Sequence, residues 1–245
     1  SQITLIEPDD QFVFFPMMYE LITDELKQWE LFPSYGRLLA DTNVRWQQAR
    51  AESVDLQQQT VSVSSGETLA YDYLVMATGA QSRPMDIPGL NEHAQTFRSF
   101  HDALILNERL ASLLRAQAVQ TQTDSVEPIT VTAVGGGASG VALACKVADY
   151  LGDRGNVTLV EHGSKLLSAM PEVIRRQANR ALEKRQVDFR LETSVSAIGA
   201  DTVTLQANNA TSILPSQLTL WAVGTQPRPW LGAQPVKEND YGQRA

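Results

Sequence analysis

The stretch from Pro128 to Glu161, PITVTAVGGGASGVALACKVADYLGDRGNVTLVE, constrains the fold more than any other part of the chain. It opens on the apolar, β-branched run Ile129–Val134, which reads as a strand buried on both faces. Gly135, Gly137 and Gly140 follow in G-x-G-x-x-G spacing. A helical stretch comes next, with Val141, Ala144, Cys145 and Ala148 on one face, and Gly152 and Gly155 punctuate its end. A second buried strand, Val157–Val160, finishes at Glu161. Each feature has a physical task. Gly135 makes the tight turn, Gly137 lets the backbone approach a pyrophosphate, and Gly140 permits close helix–strand packing. The free N–H groups at the helix start, around Gly136, Ala138 and Ser139, hold phosphate charge. Glu161 lies about 20 residues past the last glycine, where an acid accepts hydrogen bonds from ribose hydroxyls. A glycine triplet alone is weak evidence. Here a strand precedes it, a helix follows, and the acid stands at the right distance within one βαβ unit.

The chain has 245 residues, enough for one large or two ordinary domains. Its net charge is −8 and it carries no basic block, which argues against nucleic acid as a partner and weakly against an anionic membrane surface. No apolar run approaches the length of a transmembrane helix. The single cysteine, Cys145, suits a reducing compartment. The three scattered histidines have no metal-ligand spacing, so no metal is expected.

Internal similarity divides the chain. Residues 3–7, ITLIE, match residues 157–161, VTLVE; LVMATGAQSRP at 74–84 resembles LWAVGTQPRP at 220–229. Two similar pairs in the same order point to two copies of one dinucleotide-binding unit. The second copy has its glycine loop before VTLVE, whereas the chain begins at the corresponding point of the first. The expectation is therefore a fragment, missing a strand, glycine turn and helix of roughly 30 residues upstream.

Between these landmarks, Asp24 and Glu25 fall in a polar helical segment ending near Pro33. The cluster Phe12, Phe14, Phe15, Met17 and Met18 reads mainly as core packing, with a wall beside a planar ring system as the sharper alternative. Arg45–Asp55 and Gln59–Val63 read as paired strands with a turn at Ser65-Gly66. Tyr71–Met76 reads as a further buried strand running into Ala77-Thr78-Gly79, whose small residues allow close backbone approach to a ligand. An amphipathic helix is expected from Ser99 or His101 to Gln117, then an exposed loop to Pro128. After Glu161, Pro171 opens a helix to about Arg185. Val187–Leu191, Val195–Ile198, Val203–Leu205 and Gln217–Val223 read as short strands, and the tail from Val236 to Ala245 is polar.

Two nucleotide units in tandem point to a pair of nucleotides, one delivering a hydride and the other accepting it. Such transfer needs aligned rings and excluded water rather than a protein acid or base. The chain accordingly shows no Ser–His–Asp logic, no HExxH and no Walker lysine. Cys145 lacks the partner a dithiol reductase needs, and its apolar helix face makes it a buried structural thiol.

The paired units, FxFxPMxYE, YDYLVMATGA, GGGASGVALACKVADYL and LWAVGTQP together resemble the type II NADH dehydrogenases, nearest the cyanobacterial and plastid branch that reduces demethylphylloquinone-type quinones. The resemblance covers nearly the whole chain. It implies an α/β two-dinucleotide-binding-domain flavoprotein with Rossmann-like FAD and NAD(P)H domains, the FAD domain truncated. Residues 1–98 would be the partial FAD domain, 99–235 the NAD(P)H domain, and 236–245 the start of the return. It further implies that NADH, with NADPH also admitted, is held by Gly135, Gly136, Gly137, Ala138, Ser139, Gly140, Glu161, Val223 and Gly224. FAD would be held by Glu7, Pro16, Arg50, Ala51, Ala77, Thr78 and Gly79, Glu7 on its ribose. The implied activity is FAD-dependent electron transfer from NAD(P)H to a membrane quinone. The implied setting is cytoplasmic, or the cytoplasmic or stromal face of a membrane with peripheral association, and a homodimer is compatible. The alternatives are a non-catalytic NAD(H)-binding sensor or a reductase with a ferredoxin- or rubredoxin-type acceptor. The family's GVELA reads GVALA here, so Ala142 replaces its glutamate.

Overall fold

The computed structural model describes residues 2–120 and 126–232. The chain forms two compact units, Ser1–Phe14 with Trp29–Arg83 and Gly224–Ala245, and Phe15–Gln28 with Pro84–Val223. These breaks differ from the boundaries at 98/99 and 235/236 read from sequence. Residues 236–245, like 121–125 of the expected loop, lie outside the described residues.

The second unit is built on a five-stranded, all-parallel sheet. Its elements in chain order are β1 (Ala94–Thr96), α1 (Phe100–Gln120), β2 (Ile129–Val134), α2 (Ala138–Leu151), β3 (Gly155–Val160), α3 (Glu172–Lys184), β4 (Asp188–Arg190), β5 (Ser194–Ile198), β6 (Thr202–Ala207), β7 (Ala210–Pro215) and β8 (Leu218–Trp221). The strands of the parallel sheet lie in the order β4-β3-β2-β8-β1. Strand β2 is central and nearly all buried, as its β-branched run requires. Helix α2 is rich in alanine and packs on β2 and β3 through Gly140, Val141, Ala144, Val147 and Leu151, a helical face of i, i+3 and i+4 spacing. Leu143, Val147 and Leu151 are fully buried. Each such side chain contributes about 1.5–3 kcal/mol by leaving water. Gly152, at φ 53°, ends the helix.

Strands β5, β6 and β7 make an antiparallel sheet. Its Ile198, Val203 and Leu205 pack with Val134, Val160 and Trp221 from the parallel sheet. Strand β7 was not expected from sequence. It pairs with β6 across Asn208 and Asn209, both at positive φ (48° and 62°), the backbone of a tight hairpin turn. Helix α1 runs three residues beyond Gln117, and the buried carboxamide of Gln117 donates to the Glu127 and Arg154 carbonyls at 2.9 Å.

Residues 15–28 also belong to this unit. They form a short 3-10 helix, Phe15–Leu21, and a turn with Asp24 at φ 58°; of the helical segment expected to hold Asp24 and Glu25 and to end near Pro33, only Gln28–Leu31 is a helix. Met18, Leu21 and Ile22 are buried. Asn107 of α1 donates to the Leu21 and Ile22 carbonyls at 3.1 and 3.2 Å. From α2, Lys146 Nζ lies 2.8 Å from Glu25 Oε1 and 3.5 Å from Glu20 Oε1, with its side chain 19% exposed. Burial opposes the charge on Lys146, but its bond to Glu25 and the nearby carboxylates outweigh this and raise its pKa. The hydrogen bond from Lys146, then that from Thr23, lowers the Glu25 pKa. Of the five residues expected mainly in the core, only Met18 is buried; Phe12, Phe14, Phe15 and Met17 are exposed.

Lys146→Ala is expected to loosen residues 15–28 while leaving the sheet intact. Chymotryptic cleavage near Phe15 and Tyr19 should accelerate, with native circular dichroism; unchanged cleavage would show that the apolar anchors suffice. The pH dependence follows from the two shifts. The lowered Glu25 pKa gives stability present above the ordinary value of 4.5 and lost as pH falls through the lowered one. The raised Lys146 pKa gives stability present below 10.5 and lost as pH rises through the raised value.

In the first unit, Ile3–Ile6 pairs in parallel with Val44–Gln47. Ala51–Asp55, Thr60–Val63 and Thr68–Ala70 form an antiparallel sheet. The expected single strand 45–55 is thus two strands in different sheets, and the turn at Gly66 (φ 85°) joins the second hairpin. Ala49, Val54, Val61 and Val63 form this unit's core. The expected buried strand 71–76 is not a strand. Leu74 and Met76 pack on that core, whereas Tyr73 and Val75 are 94% and 87% exposed. Among the described residues no strand lies beside it to supply a hydrogen-bond ladder. The repeated segments, in contrast, meet. Ala80–Ser82 pairs antiparallel with Thr225–Pro227, directly after Gly79 and Gly224, which share positive φ values of 70° and 75°.

Candidate functional site

The glycine loop joins β2 to α2 at the carboxyl edge of the parallel sheet, where ligands of open α/β folds bind. Gly135 has φ 112° and donates to the Val160 carbonyl at 2.8 Å, tying the turn to the neighbouring strand. A Cβ there would come within 2.9 Å of Val223 and 3.1 Å of the Ala222 carbonyl, so Val223 closes one side of the turn. A Cβ at Gly140 would strike the Gly135 carbonyl, so the close approach this glycine allows is of the helix to the turn, at the end of the strand it was expected to pack on.

Gly137, Ala138 and Ser139 are exposed, whereas Gly135, Gly136 and Gly140 are buried. Gly137 caps α2 without a side-chain bond, and among the described residues no atom outside its chain neighbours lies within 4 Å of where its Cβ would be. The first N–H groups of α2 have no partner within the helix, and its dipole places positive potential at the same point. The loop therefore has the open space and donors that a pyrophosphate needs.

Glu161 follows β3, and its side chain is 13% exposed. Oε2 accepts from Gly136 N–H at 2.5 Å and Oε1 from Gly163 N–H at 2.7 Å. His162 Nδ1 lies 2.9 Å from Oε1. The acid is thus fixed against the glycine loop. Gly136 is more than one of several backbone donors: its requirement is steric, since a Cβ would come within 2.8 Å of the Glu161 carboxylate and 2.7 Å of Leu166. Three successive glycines, where the fingerprint demands only the first and third, were the available signal.

Ala142, one helical turn before Lys146, supplies no acid. Cys145 is partly buried: burial pushes its thiol pKa up, Arg185 pulls it down and Asp149 adds to the rise. A thiol so disposed is a poor nucleophile. Among the described residues no cluster of histidine, cysteine and carboxylate side chains is placed to hold a metal.

Of the residues expected around FAD, Glu7, Arg50, Ala51, Ala77, Thr78 and Gly79 lie in the first unit and Pro16 in the second. Gly224, expected with NAD(P)H, opens the last stretch of the first unit, while Val223 closes the second. Glu7 follows the strand Ile3–Ile6, and Arg50 and Ala51 come just after its parallel partner Val44–Gln47. They therefore share one carboxyl edge, the arrangement that places an acid near an adenosine. Glu7 Oε1 accepts from Asp9 N–H at 3.1 Å, and Gly79 accepts through its carbonyl from Arg228 N–H at 3.3 Å.

The parallel sheet, glycine loop and strand-end acid define a dinucleotide-binding α/β protein. The sequence pattern described as pyridine nucleotide-disulphide oxidoreductase matches residues 1–243, and the chain belongs to that family. It is 38% identical to the demethylphylloquinone reductase NdbB of Synechocystis sp., over 99% of this chain and 59% of that protein. It is 29% identical to the alternative NAD(P)H-ubiquinone oxidoreductase C1, chloroplastic/mitochondrial, of Arabidopsis thaliana, over 92% of this chain and 47% of that protein. The structure of NDH2 from Plasmodium falciparum in complex with NADH superposes with a TM-score of 0.79 at 20% identity, covering 92% of this chain and 51% of that one. The chain thus spans about half the length of the relatives it matches.

Proposed function

We propose that the protein to which this chain belongs passes electrons from NAD(P)H through FAD to a quinone. The observation that carries the reading is the loop at the start of α2, where the exposed residues Gly137–Ser139 follow Gly136, whose N–H is held by Glu161. The quinone rests on the names of the relatives, a demethylphylloquinone reductase and an NAD(P)H-ubiquinone oxidoreductase. In this reading residues 84–223 hold NAD(P)H. Gly137–Ser139 hold its pyrophosphate, Glu161 its adenosine ribose, and Val223 and Gly224 line its path. FAD supplies the two-electron acceptor, held by Glu7, Arg50, Ala51 and Ala77–Gly79, with Pro16 near the flavin. The chain's own work is binding, alignment and exclusion of water. Association with the membrane that holds the quinone is peripheral, on its cytoplasmic or stromal side; among the described residues no helix is long and apolar enough to cross a membrane.

Ala142 favours a second reading, an NAD(H)-binding module without catalysis, because the resemblance places a glutamate there. Visible absorbance of the purified full-length protein separates the two. Stoichiometric flavin that bleaches with NADH and recovers with a prenylated quinone supports the enzyme. Tight NADH binding with substoichiometric flavin supports the module. Recovery with ferredoxin or rubredoxin, but not with quinone, would replace the acceptor.

A further inference from the structure

The Glu161 carboxylate already serves three protein groups. Oε2 takes the Gly136 N–H, and Oε1 takes the Gly163 N–H and faces His162 Nδ1. A carboxylate offers about four lone-pair sites; the two N–H groups occupy two of them, and the His162 imidazole stands beside Oε1 at 2.9 Å. About two acceptor sites therefore remain for a ligand, and whatever uses them meets His162 alongside. Its charge is also not bare, because two N–H dipoles and an imidazole converge on it. The His162 side chain remains 80% exposed, so one end of the ring rests on Glu161 while the rest faces solvent. Other nearby cations are differently placed. Arg190 offers its carbonyl to Glu161 N–H and pairs its guanidinium with Asp188 at 3.4 Å, and Lys165 is three residues further along the exposed turn.

We infer that His162 sets how this site treats the ribose 2′ position, and that a nucleotide bearing a 2′-phosphate is admitted through it. The inference rests on the reading of the loop as the NAD(P)H site. A 2′-phosphate arriving at Glu161 alone would meet like charge and lose a donor. With His162 against the carboxylate, it meets an imidazole that can donate from its exposed end, in charged form, while Nδ1 stays on Glu161. A 2′-hydroxyl needs only an acceptor site on Glu161. The two nucleotides thus use different members of one pair.

The test is the ratio of NADPH to NADH affinity, by titration, in the wild type and in His162→Gln, His162→Arg and Lys165→Ala. A charged contact at an exposed position is worth up to about fivefold in affinity. His162→Gln should lower the ratio by about that factor, and His162→Arg should hold or raise it, with NADH affinity changing less in both. A ratio unmoved in His162→Gln, or equal weakening of both nucleotides, overturns the assignment, since His162 would then only orient Glu161. A larger drop in Lys165→Ala than in His162→Gln also overturns it. Folded wild type that binds neither nucleotide overturns the reading of the loop itself, and the assignment with it.

Discussion

Gly137→Val is expected to leave the protein folded and to weaken NADH binding by at least about tenfold, or 1.4 kcal/mol. The fold should accept the side chain because no described atom beyond its chain neighbours lies within 4 Å of the new Cβ and φ at Gly137 is an ordinary −76°. The same open space is where a pyrophosphate must reach the α2 amides, so the valine would fill the ligand's place rather than the protein's. Gly140→Ala should behave in the opposite way. Its Cβ meets the Gly135 backbone, which cannot swing aside as a flexible side chain can. A stability loss of about 1–3 kcal/mol is expected from this overpacking, seen as a lower denaturation midpoint, with binding lost alongside it. Native NADH affinity in a folded Gly137→Val protein would refute the assignment of this loop.

Glu161→Gln should cost both stability and NADH affinity. The amide keeps one acceptor oxygen where the carboxylate had two, so either Gly136 N–H or Gly163 N–H faces an NH₂ group. Leaving one such donor unsatisfied costs about 1–3 kcal/mol. Loss of the negative charge should at the same time favour NADPH relative to NADH. The structure changes what must be measured: a simple gain in NADPH affinity is masked by damage to the loop, so the ratio of affinities is the informative quantity. Wild type that binds NADPH more tightly than NADH would mean that Glu161 is not the ribose partner.

The glycine loop was readable because its chemistry is local. A tight turn, a close helix approach and an acid at the strand end are all fixed within one βαβ unit, and Gly135, Gly140 and Glu161 stand where the spacing placed them. The β6–β7 hairpin is also local, and its turn signal is the Asn208-Asn209 pair at positive φ. Other features depend on distant partners. Tyr71–Met76 has the composition of a buried strand, but composition does not reveal whether another strand lies alongside. The contact of Lys146 with Glu25 spans 121 residues and has no sequence signature. Exposed Phe12, Phe14, Phe15 and Met17 show the same limit, since an apolar side chain does not state which surface covers it.

The path of the chain has a consequence for descent and for engineering. It passes between the two compact units at Phe14/Phe15, Gln28/Trp29, Arg83/Pro84 and Val223/Gly224. A cassette of residues 84–223, moved into another gene, would carry the glycine loop and Glu161 but leave Met18, Leu21 and Ile22 behind. Its Lys146 would lose Glu20 and Glu25, and its Asn107 would lose two carbonyl acceptors. The half that carries the glycine loop therefore draws part of its core and ion pairing from residues 15–28. Recombination that preserves it must bring residues 15–28 as well, and those are encoded between two pieces of the other unit, so neither unit is one uninterrupted stretch of the gene.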